Sequence, residues 1–245
     1  MTWELIYFLS GLAMLPVLLF AIIASIRVTT VINHYHHMES GSNLTAKDLV
    51  QRIATENQLD IHVEEASDGE GDHYDPTAKA VRLTAKVLHS SSVSAMAIAA
   101  HECGHAMQDA ENYLPLRVRN LVIRLSNFSS RLLTPLIIIS LVASFFTMGM
   151  GAEIYVKWLL LGFCIVYGLS AVVSLITLPT EFDASRRGKA MLQAMQIIDT
   201  KQERRGVNKV LRAAANTYVV SFAMSLIYFL RYLSYFMMIF GRRRD

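Results

Sequence analysis

The segment His101-Glu102-Cys103-Gly104-His105 carries side chains that can bind a metal ion and activate water. On an α-helix, residues four apart lie on nearly the same face, about 5.4 Å apart along the axis. The imidazoles of His101 and His105 can therefore share one zinc ion at Zn–N distances of about 2.0–2.1 Å. Glu102 lies about a quarter turn away, where it can reach a zinc-bound water without becoming a ligand. This spacing predicts a hydrolytic zinc site with Glu102 as general base.

The residues before this motif favour the helix that the motif requires. Segment 93–100, VSAMAIAA, consists mostly of small apolar residues that suit a buried helix. Ser90, Ser91 or Ser92 can cap its first turn. The alternative is an ordinary solvated polar face, which would not need so apolar a segment before it. Cys103 points away from the histidine face and is interpreted as a packing residue.

A catalytic zinc site needs a third protein ligand and one open position, and three carboxylates compete for that role. Asp109 lies a further turn along the same helix, which takes it away from the ion. Glu111 would need a chain reversal at a glycine that this segment lacks. We favour Glu181, which is predicted to lie on the first turn of a helix started by Pro179-Thr180. Its other interpretation is a carboxylate stabilised by the dipole at a helix N-terminus.

The composition and the apolar segments are typical of a membrane protein. Hydrophobic residues make up 53% of the 245 residues, too many for an ordinary soluble domain. Segments 5–26, 132–152 and 158–180 carry no charged residue, and each is long enough to cross a bilayer. The first is predicted to be a retained anchor, because its start is not basic like that of a cleaved signal peptide. Segment 213–240 is predicted as a fourth span although Arg231 interrupts it, with an interfacial helix as the alternative.

The two polar segments, 27–131 and 181–212, are predicted to form the two parts of the catalytic domain on one side of the membrane. Spans 132–152 and 158–180 are joined by a short loop and form a hairpin, so the chain returns to the side it left. The two polar segments hold 18 of the 23 lysines and arginines, and the positive-inside rule places them in the cytoplasm. The terminal Arg242–Arg244 disagrees with this rule if the last segment crosses.

The predicted fold is a mostly α membrane protein with multi-pass helices and a small antiparallel β-sheet. A helix is predicted at 45–57, and strands are predicted at 61–65, 73–74 and 80–84. Strand 80–84 is predicted to hold an extended substrate by edge pairing. His73 and Tyr74 are candidate substrate or oxyanion contacts, or residues that only close the turn.

Several parts of the sequence together resemble a known family. They are the motif at 101–105, Glu181-Phe-Asp-Ala-Ser185, and His73-Tyr-Asp-Pro76 with Val81-Arg-Leu83. This combination looks like the bacterial YugP-type membrane zinc metallopeptidases, and the likeness runs over most of the chain. Such proteins are similar in plan to HtpX-type and other gluzincin peptidases, in which two histidines and a glutamate bind zinc.

The resemblance implies a gluzincin-like zinc peptidase domain that binds one Zn²⁺ ion. By that likeness His101, His105 and Glu181 are the ligands, and Glu102 is the general base. The implied partners are a protein or peptide substrate and the lipid bilayer. The implied location is the bacterial inner or plasma membrane.

One position departs from the gluzincin pattern. Gluzincins often carry an aspartate four residues after the ligand glutamate, where it orients a ligand histidine. This chain has Ser185 at that position, and the nearby acid is Asp183. Both residues are therefore candidates for orienting a ligand.

The function that these patterns predict is a membrane-anchored zinc-dependent endopeptidase, with membrane-protein quality control as a further expectation by analogy. One alternative is an intramembrane metalloprotease, although segment 93–100 is too short to place the motif inside a span. The other is a non-catalytic membrane scaffold or metal-handling protein, which would not need Glu102. Nucleic-acid binding is not expected, because the basic residues are spread over the membrane-facing segments. No feature of the sequence specifies an oligomeric state.

Overall fold

The computed structural model describes residues 2–123 and 152–241, together with isolated positions at 131, 135, 137–139 and 142. The predicted span 132–152 therefore lies outside the described residues apart from those positions and its last residue. The same holds for the hairpin that this span would form with segment 158–180.

The described residues are mostly helical and contain one small sheet, which confirms the predicted fold class. In chain order the elements are α1 (Trp3–His36), α2 (Ala46–Glu56), β1 (His62–Glu65), β2 (His73–Asp75), β3 (Ala80–Leu83), α3 (Ala85–Leu88), α4 (Val93–Ala110), α5 (Ala152–Ala194) and α6 (Lys201–Phe240). Within the described part of the chain, α1, most of α5 and α6 are long and apolar enough to cross a membrane. The predicted spans 5–26, 158–180 and 213–240 lie inside these three helices, and their boundaries stay predictions.

The chain divides into two compact units. The first, called here the membrane unit, comprises Met1–Ile23, Val118–Thr177 and Tyr218–Asp245. The second, called the site unit, comprises Ala24–Arg117 and Leu178–Thr217. All the residues of the predicted zinc site belong to the site unit.

The membrane unit contains an arginine inside an apolar helix, and the structure provides it with a partner. Arg231 Nη2 donates a hydrogen bond to Tyr7 Oη at 3.0 Å, and its guanidinium lies 4.3 Å from the centre of the Tyr7 ring. A Cβ at Gly11 would lie 2.6 Å from Arg231 Nη1, so this glycine leaves room for the cation. The charge that interrupts segment 213–240 is therefore held against α1 by a hydrogen bond and a cation–π contact.

Helix α2 anchors the core of the site unit. The side chain of Thr45 accepts a hydrogen bond from the Asp48 N–H, and Asp48 accepts one from the Thr45 N–H, which confirms the predicted cap. Leu49, Val50 and Ile53 lie on one face of α2 and are buried. They belong to a single hydrophobic core that also includes residues of β3 and α4. Burial of this shared face fixes α4 against the rest of the unit.

The sheet has the order β1-β3-β2 and is mixed, so the prediction of an all-antiparallel sheet is corrected. β2 and β3 are antiparallel, with Tyr74 opposite Val81, whereas β1 and β3 are parallel, with His62 opposite Ala80. β1 and β2 run in opposite directions, and β3 inserts between them, so one of its neighbours must be parallel. Because both edges of β3 are paired, the prediction that strand 80–84 pairs with an extended substrate is wrong.

Helix α4 begins where the sequence predicted. The side chain of Ser92 accepts a hydrogen bond from the Ala95 N–H at 3.2 Å and so caps the first turn. Most of the helix is buried, including Cys103, which lies in the core as a packing residue. The buried surroundings hold the helix rigidly, and its two histidines with it.

Helix α5 continues through Pro179, so the prediction that a new helix begins at Pro179-Thr180 is wrong. Proline removes one backbone donor, which leaves the carbonyl of Leu175 without its usual partner. Apolar spanning helices tolerate this loss, because packing and neighbouring groups compensate for it. Glu181 therefore lies inside one long helix that runs from the apolar segment into the site unit.

Helices α4 and α5 approach each other so closely that their backbones touch. A Cβ at Gly104 would lie 2.9 Å from the carbonyl carbon of Ala184, and a Cβ at Gly188 would lie 2.7 Å from that of Ala100. Real Cβ atoms essentially never come within 3.0 Å of such atoms, so neither glycine can carry a side chain without a backbone shift. The contact places α5 directly against the histidine-bearing helix.

We expect Gly188→Ala to lower the free energy of unfolding of the site unit by about 1–3 kcal/mol, the usual cost of overpacking. The buried thiol of Cys103 can report this unfolding by its reaction with a fluorogenic maleimide during heating, in a Cys164→Ala background. Gly71→Ala is the matched control, because no atom lies within 4 Å of a Cβ at that position. Equal reaction midpoints for the two variants would contradict the close helix contact.

Candidate metal centre

His101, His105 and Glu181 bring their candidate ligand atoms within 4.8 Å of one another. Glu181 Oε2 lies 3.2 Å from His101 Nε2 and 3.6 Å from His105 Nε2. Ligands bound to a tetrahedral zinc ion at about 2.0–2.1 Å lie roughly 3.3 Å from one another. The observed separations and the nitrogen and carboxylate donors therefore fit one zinc ion. Within the described ranges, no other three histidine, cysteine or acidic side chains form such a group.

The position of Glu181 excludes its alternative interpretation. A carboxylate favoured by the helix dipole lies in the first turn, but Glu181 lies deep inside α5 and is only 2% exposed. A buried carboxylate needs a partner with positive charge or hydrogen-bond donors. The two histidines of α4 supply that partner here, as a metal ion would.

The pKa values of the group reflect this mutual pairing. Burial raises the pKa of Glu181, but hydrogen bonds from His101 and His105 outweigh burial and hold that pKa below its ordinary value. Burial lowers the pKa of His105, but Glu181 and Glu102 more than compensate and raise it. Protons on the histidines and a divalent ion would thus compete for the same negative charge, and ion binding would favour neutral imidazoles.

Glu102 lies beside the ligand group and is 8% exposed. Its pKa is raised mainly because burial disfavours the charged carboxylate. The charges of His101 and His105 oppose this rise, whereas those of Glu181 and Asp72 add to it. A carboxylate with a raised pKa is a stronger proton acceptor once ionised. A divalent ion bound nearby would favour that ionised form.

The two histidine rings are oriented by hydrogen bonds at their other nitrogens. His101 Nδ1 lies 3.1 Å from Ser185 Oγ, and His105 Nδ1 lies 3.0 Å from Gln108 Oε1. Gln108 Nε2 donates to the Thr180 carbonyl, which leaves the amide oxygen to accept from the His105 Nδ1–H. When the His105 imidazole is neutral, its lone pair is then at Nε2, the nitrogen that faces Glu181, where it can bind a metal ion.

Asp183 acts through Gln108 rather than directly on a ligand. Gln108 Nε2 donates to Asp183 Oδ2 at 3.0 Å, and Arg187 Nε donates to the same oxygen at 2.6 Å. Burial raises the pKa of Asp183, but these donors and Arg186 outweigh it and lower the pKa to about 2. The carboxylate is therefore ionised and fixes the orientation of the Gln108 amide.

Gln108 is the residue of the site that sequence reasoning missed. It is completely buried and joins His105 of α4 to Asp183 and Thr180 of α5. The sequence did contain a feature that could have identified it. Gln108 lies three residues after His105, so the two side chains fall on the same face of a helix. Of the two predicted orienting residues, Ser185 contacts a histidine directly, and Asp183 reaches one through this amide.

The carboxylates that the sequence disfavoured as ligands have other partners. Asp109 Oδ2 accepts hydrogen bonds from Tyr74 Oη at 2.9 Å and from Lys79 Nζ at 2.5 Å. Glu111 Oε2 forms an ion pair with Arg187 Nη2 at 2.8 Å. His73 Nδ1 lies 2.9 Å from the Gly71 carbonyl, which is the contact expected of a residue that closes the turn. The proposed substrate or oxyanion roles of His73 and Tyr74 stay predictions from the sequence.

We expect Glu181→Gln to weaken zinc binding by more than the roughly 100-fold that the loss of a ligand-orienting residue can cause. The amide keeps the size of the side chain but removes the negative charge of a ligand. Competition with a fluorescent zinc chelator in detergent measures the affinity. Asp109→Asn and Glu111→Gln are matched controls that should bind zinc as the parent does. If either control lost zinc while Glu181→Gln kept it, the carboxylate replaced in that control, and not Glu181, would be the third ligand.

We expect Gln108→Leu to weaken zinc binding by about 10–100-fold, because His105 loses the group that orients its ring. The same chelator competition measures the affinity, and the heating midpoint of Cys103 exposure shows that the variant is folded. Gln51→Leu makes the same change at an exposed position of α2 and should leave zinc binding unaltered. Unchanged affinity in a folded Gln108→Leu variant would rule out the orienting role.

Comparisons with known proteins agree with this donor set. A family model described as "Putative neutral zinc metallopeptidase" matches residues 10–237, which include both segments that supply the candidate ligands. The chain is also 36% identical over 225 residues to a Bacillus subtilis (strain 168) protein named "Putative membrane protease YugP". That match covers 91% of this chain and 92% of the relative. No solved structure matches the chain.

Proposed function

Because the chain belongs to the neutral zinc metallopeptidase family, we propose that it is a membrane-anchored, zinc-dependent endopeptidase. The observation that carries the proposal is the single group formed by His101, His105 and Glu181, with Glu102 buried beside it. Two imidazoles and one carboxylate leave a position open on a tetrahedral ion, as hydrolytic zinc sites require.

The proposed mechanism assigns one task to each side chain. His101, His105 and Glu181 would hold one zinc ion, and the chemistry it would supply is that of a Lewis acid toward a peptide carbonyl and a water molecule. Glu102 accepts a proton from the attacking water as its oxygen adds to the carbonyl carbon. The same carboxyl then donates that proton to the leaving nitrogen as the C–N bond breaks.

The location of Glu181 supports substrates that lie close to the membrane. Glu181 follows the apolar segment 158–180 directly in the same helix. We propose that the site acts at the surface of a bacterial cell membrane on protein or peptide substrates, membrane proteins among them, in quality control. The positive-inside rule supports a cytoplasmic site, because segments 27–131 and 181–212 hold 18 of the 23 basic residues.

The ligand-bearing elements disfavour an intramembrane protease. Such an enzyme carries its zinc motif inside a spanning helix, whereas α4 has 18 residues, is not among the candidate spans of the described residues and continues into Gln108 and Asp109. A non-catalytic metal-handling protein would bind zinc equally well without Glu102. The replacement of Glu102 therefore separates a peptidase from a metal-handling protein.

We expect Glu102→Gln to keep zinc bound and to lower peptide cleavage by about 10²–10⁴-fold, the usual contribution of a general base. Cleavage of a fluorescent casein by the purified full-length protein measures activity, and metal analysis of the same sample measures zinc. Glu65→Gln, at an exposed position of β1, is the matched control.

Two results would overturn this proposal. One is cleavage by Glu102→Gln at the rate of the Glu65→Gln control, which would exclude Glu102 as the base. The other is cleavage by the parent protein that survives complete removal of zinc by a chelator, which would exclude a zinc-dependent mechanism.

A further inference from the structure

A cleft of about 700 Å³ opens in the site unit between the parts of α5 and α6 that belong to this unit. This volume lies in the range of sites that bind small molecules, roughly 300–1,000 Å³. Its lining includes three basic residues, two amides and one aromatic ring: Arg186, Lys189, Arg212, Asn208, Asn216 and Phe182. We call it the basic cleft.

The basic cleft carries an excess of positive charge. None of its described lining residues is acidic, whereas three are cationic. Arg186 does pair with Asp183, but that carboxylate is 7% exposed and is shared with Arg187. Lys189 Nζ donates to Asn208 Oδ1 at 3.0 Å across the cleft, a neutral contact that leaves its charge uncompensated. Arg212 is exposed and has no ion pair among the described residues. The charge of the cleft thus complements an anion.

The predicted ends of spans 158–180 and 213–240 place one end of the cleft next to the lipid headgroups. Phe182 and Lys189 are two and nine residues beyond the end of the apolar segment 158–180, or about 3 and 14 Å along α5. On α6, Arg212 directly precedes the apolar segment 213–240. The headgroup region on each side of a bilayer is about 5–8 Å thick, and long basic side chains reach back toward it. Phe182, whose side chain is exposed, is the lining residue of α5 nearest the predicted span 158–180.

The orientation of His101 separates the basic cleft from the substrate. The hydroxyl of Ser185, which also lines the cleft, contacts His101 Nδ1. The opposite ring nitrogen, Nε2, faces Glu181 and the candidate metal position. The cleft therefore lies behind the imidazole, away from the side on which a peptide carbonyl would meet the metal. This placement favours a bound lipid over an acidic segment of the substrate.

We propose that the basic cleft binds the phosphate of an anionic phospholipid headgroup. Basic pockets between spanning helices are established chemistry for such headgroups. The three cations and two amides surround the phosphate, and Phe182 lies against the first part of the acyl chains. The inference goes beyond the proposed peptidase function and is independent of it, because phosphate binding needs neither zinc nor Glu102.

The test uses the full-length Glu102→Gln protein in detergent, so that proteolysis plays no part, and a fluorescent phosphatidylglycerol as probe. We expect this probe to bind more tightly than fluorescent phosphatidylcholine. Lys189→Gln and Arg212→Gln should each weaken its binding by about fivefold, as expected for one basic residue that faces an anionic lipid. The matched control is Arg205→Gln, which removes the same charge from an exposed position of α6 outside the cleft lining.

Several outcomes would overturn the proposal. Equal weakening by Arg205→Gln and Arg212→Gln would mean that general surface charge attracts the lipid. Equal binding of the two fluorescent lipids would show that the negative charge of the headgroup does not contribute to binding. Displacement of the probe by inorganic phosphate or by an acidic peptide at the lipid's own concentration would identify a soluble anion or a substrate segment as the occupant. An unchanged heating midpoint of Cys103 exposure shows that each variant is folded.

Discussion

The backbone contact between α4 and α5 is the constraint on which the candidate site depends. Gly104 meets Ala184, and Gly188 meets Ala100, with no space for a side chain at either glycine. His101 and Glu181 are 80 residues apart in the chain, yet this contact brings their ligand atoms to 3.2 Å. A larger side chain at the contact would require the backbones of the two helices to shift apart, and the candidate ligand atoms with them. The small residues therefore position the candidate ligands of the two helices.

Buried charge in the site is balanced by a connected set of polar groups. Glu181 faces two histidines, and Asp183 faces Gln108 and Arg187. A buried carboxylate without such partners would lose much of its hydration free energy without compensation. Because Gln108 links both parts, the orientation of His105 depends on a carboxylate that does not touch it. The arrangement resembles a carboxylate–histidine pair with an amide inserted between the two groups.

Helix α5 contributes both to the predicted membrane anchor and to the candidate site. α5 runs without interruption from its apolar segment through Glu181 and Ser185 to the basic cleft. The helix has no break between its apolar segment and the part that carries Glu181. The contact at Gly188 restricts the movement of the part of α5 that carries Glu181.

The spacing of residues along the chain was sufficient to predict part of the fold and of the candidate site. The face shared by His101 and His105 and the three strands follow from periods of 3.6 and 2.0 residues. The caps at Thr45 and Ser92 follow from hydroxyl side chains placed just before a helix. Both kinds of signal depend only on near neighbours. Three features depended on tertiary structure. Gln108 links two helices, β3 inserts beside β1, and α5 continues through Pro179. Each of these results from packing between segments distant in the chain, and packing can override a local signal such as proline. Glu181 stands between the two cases: its residue type and its place after an apolar segment made it a candidate, but only the close contact of α4 and α5 brought it to the histidines.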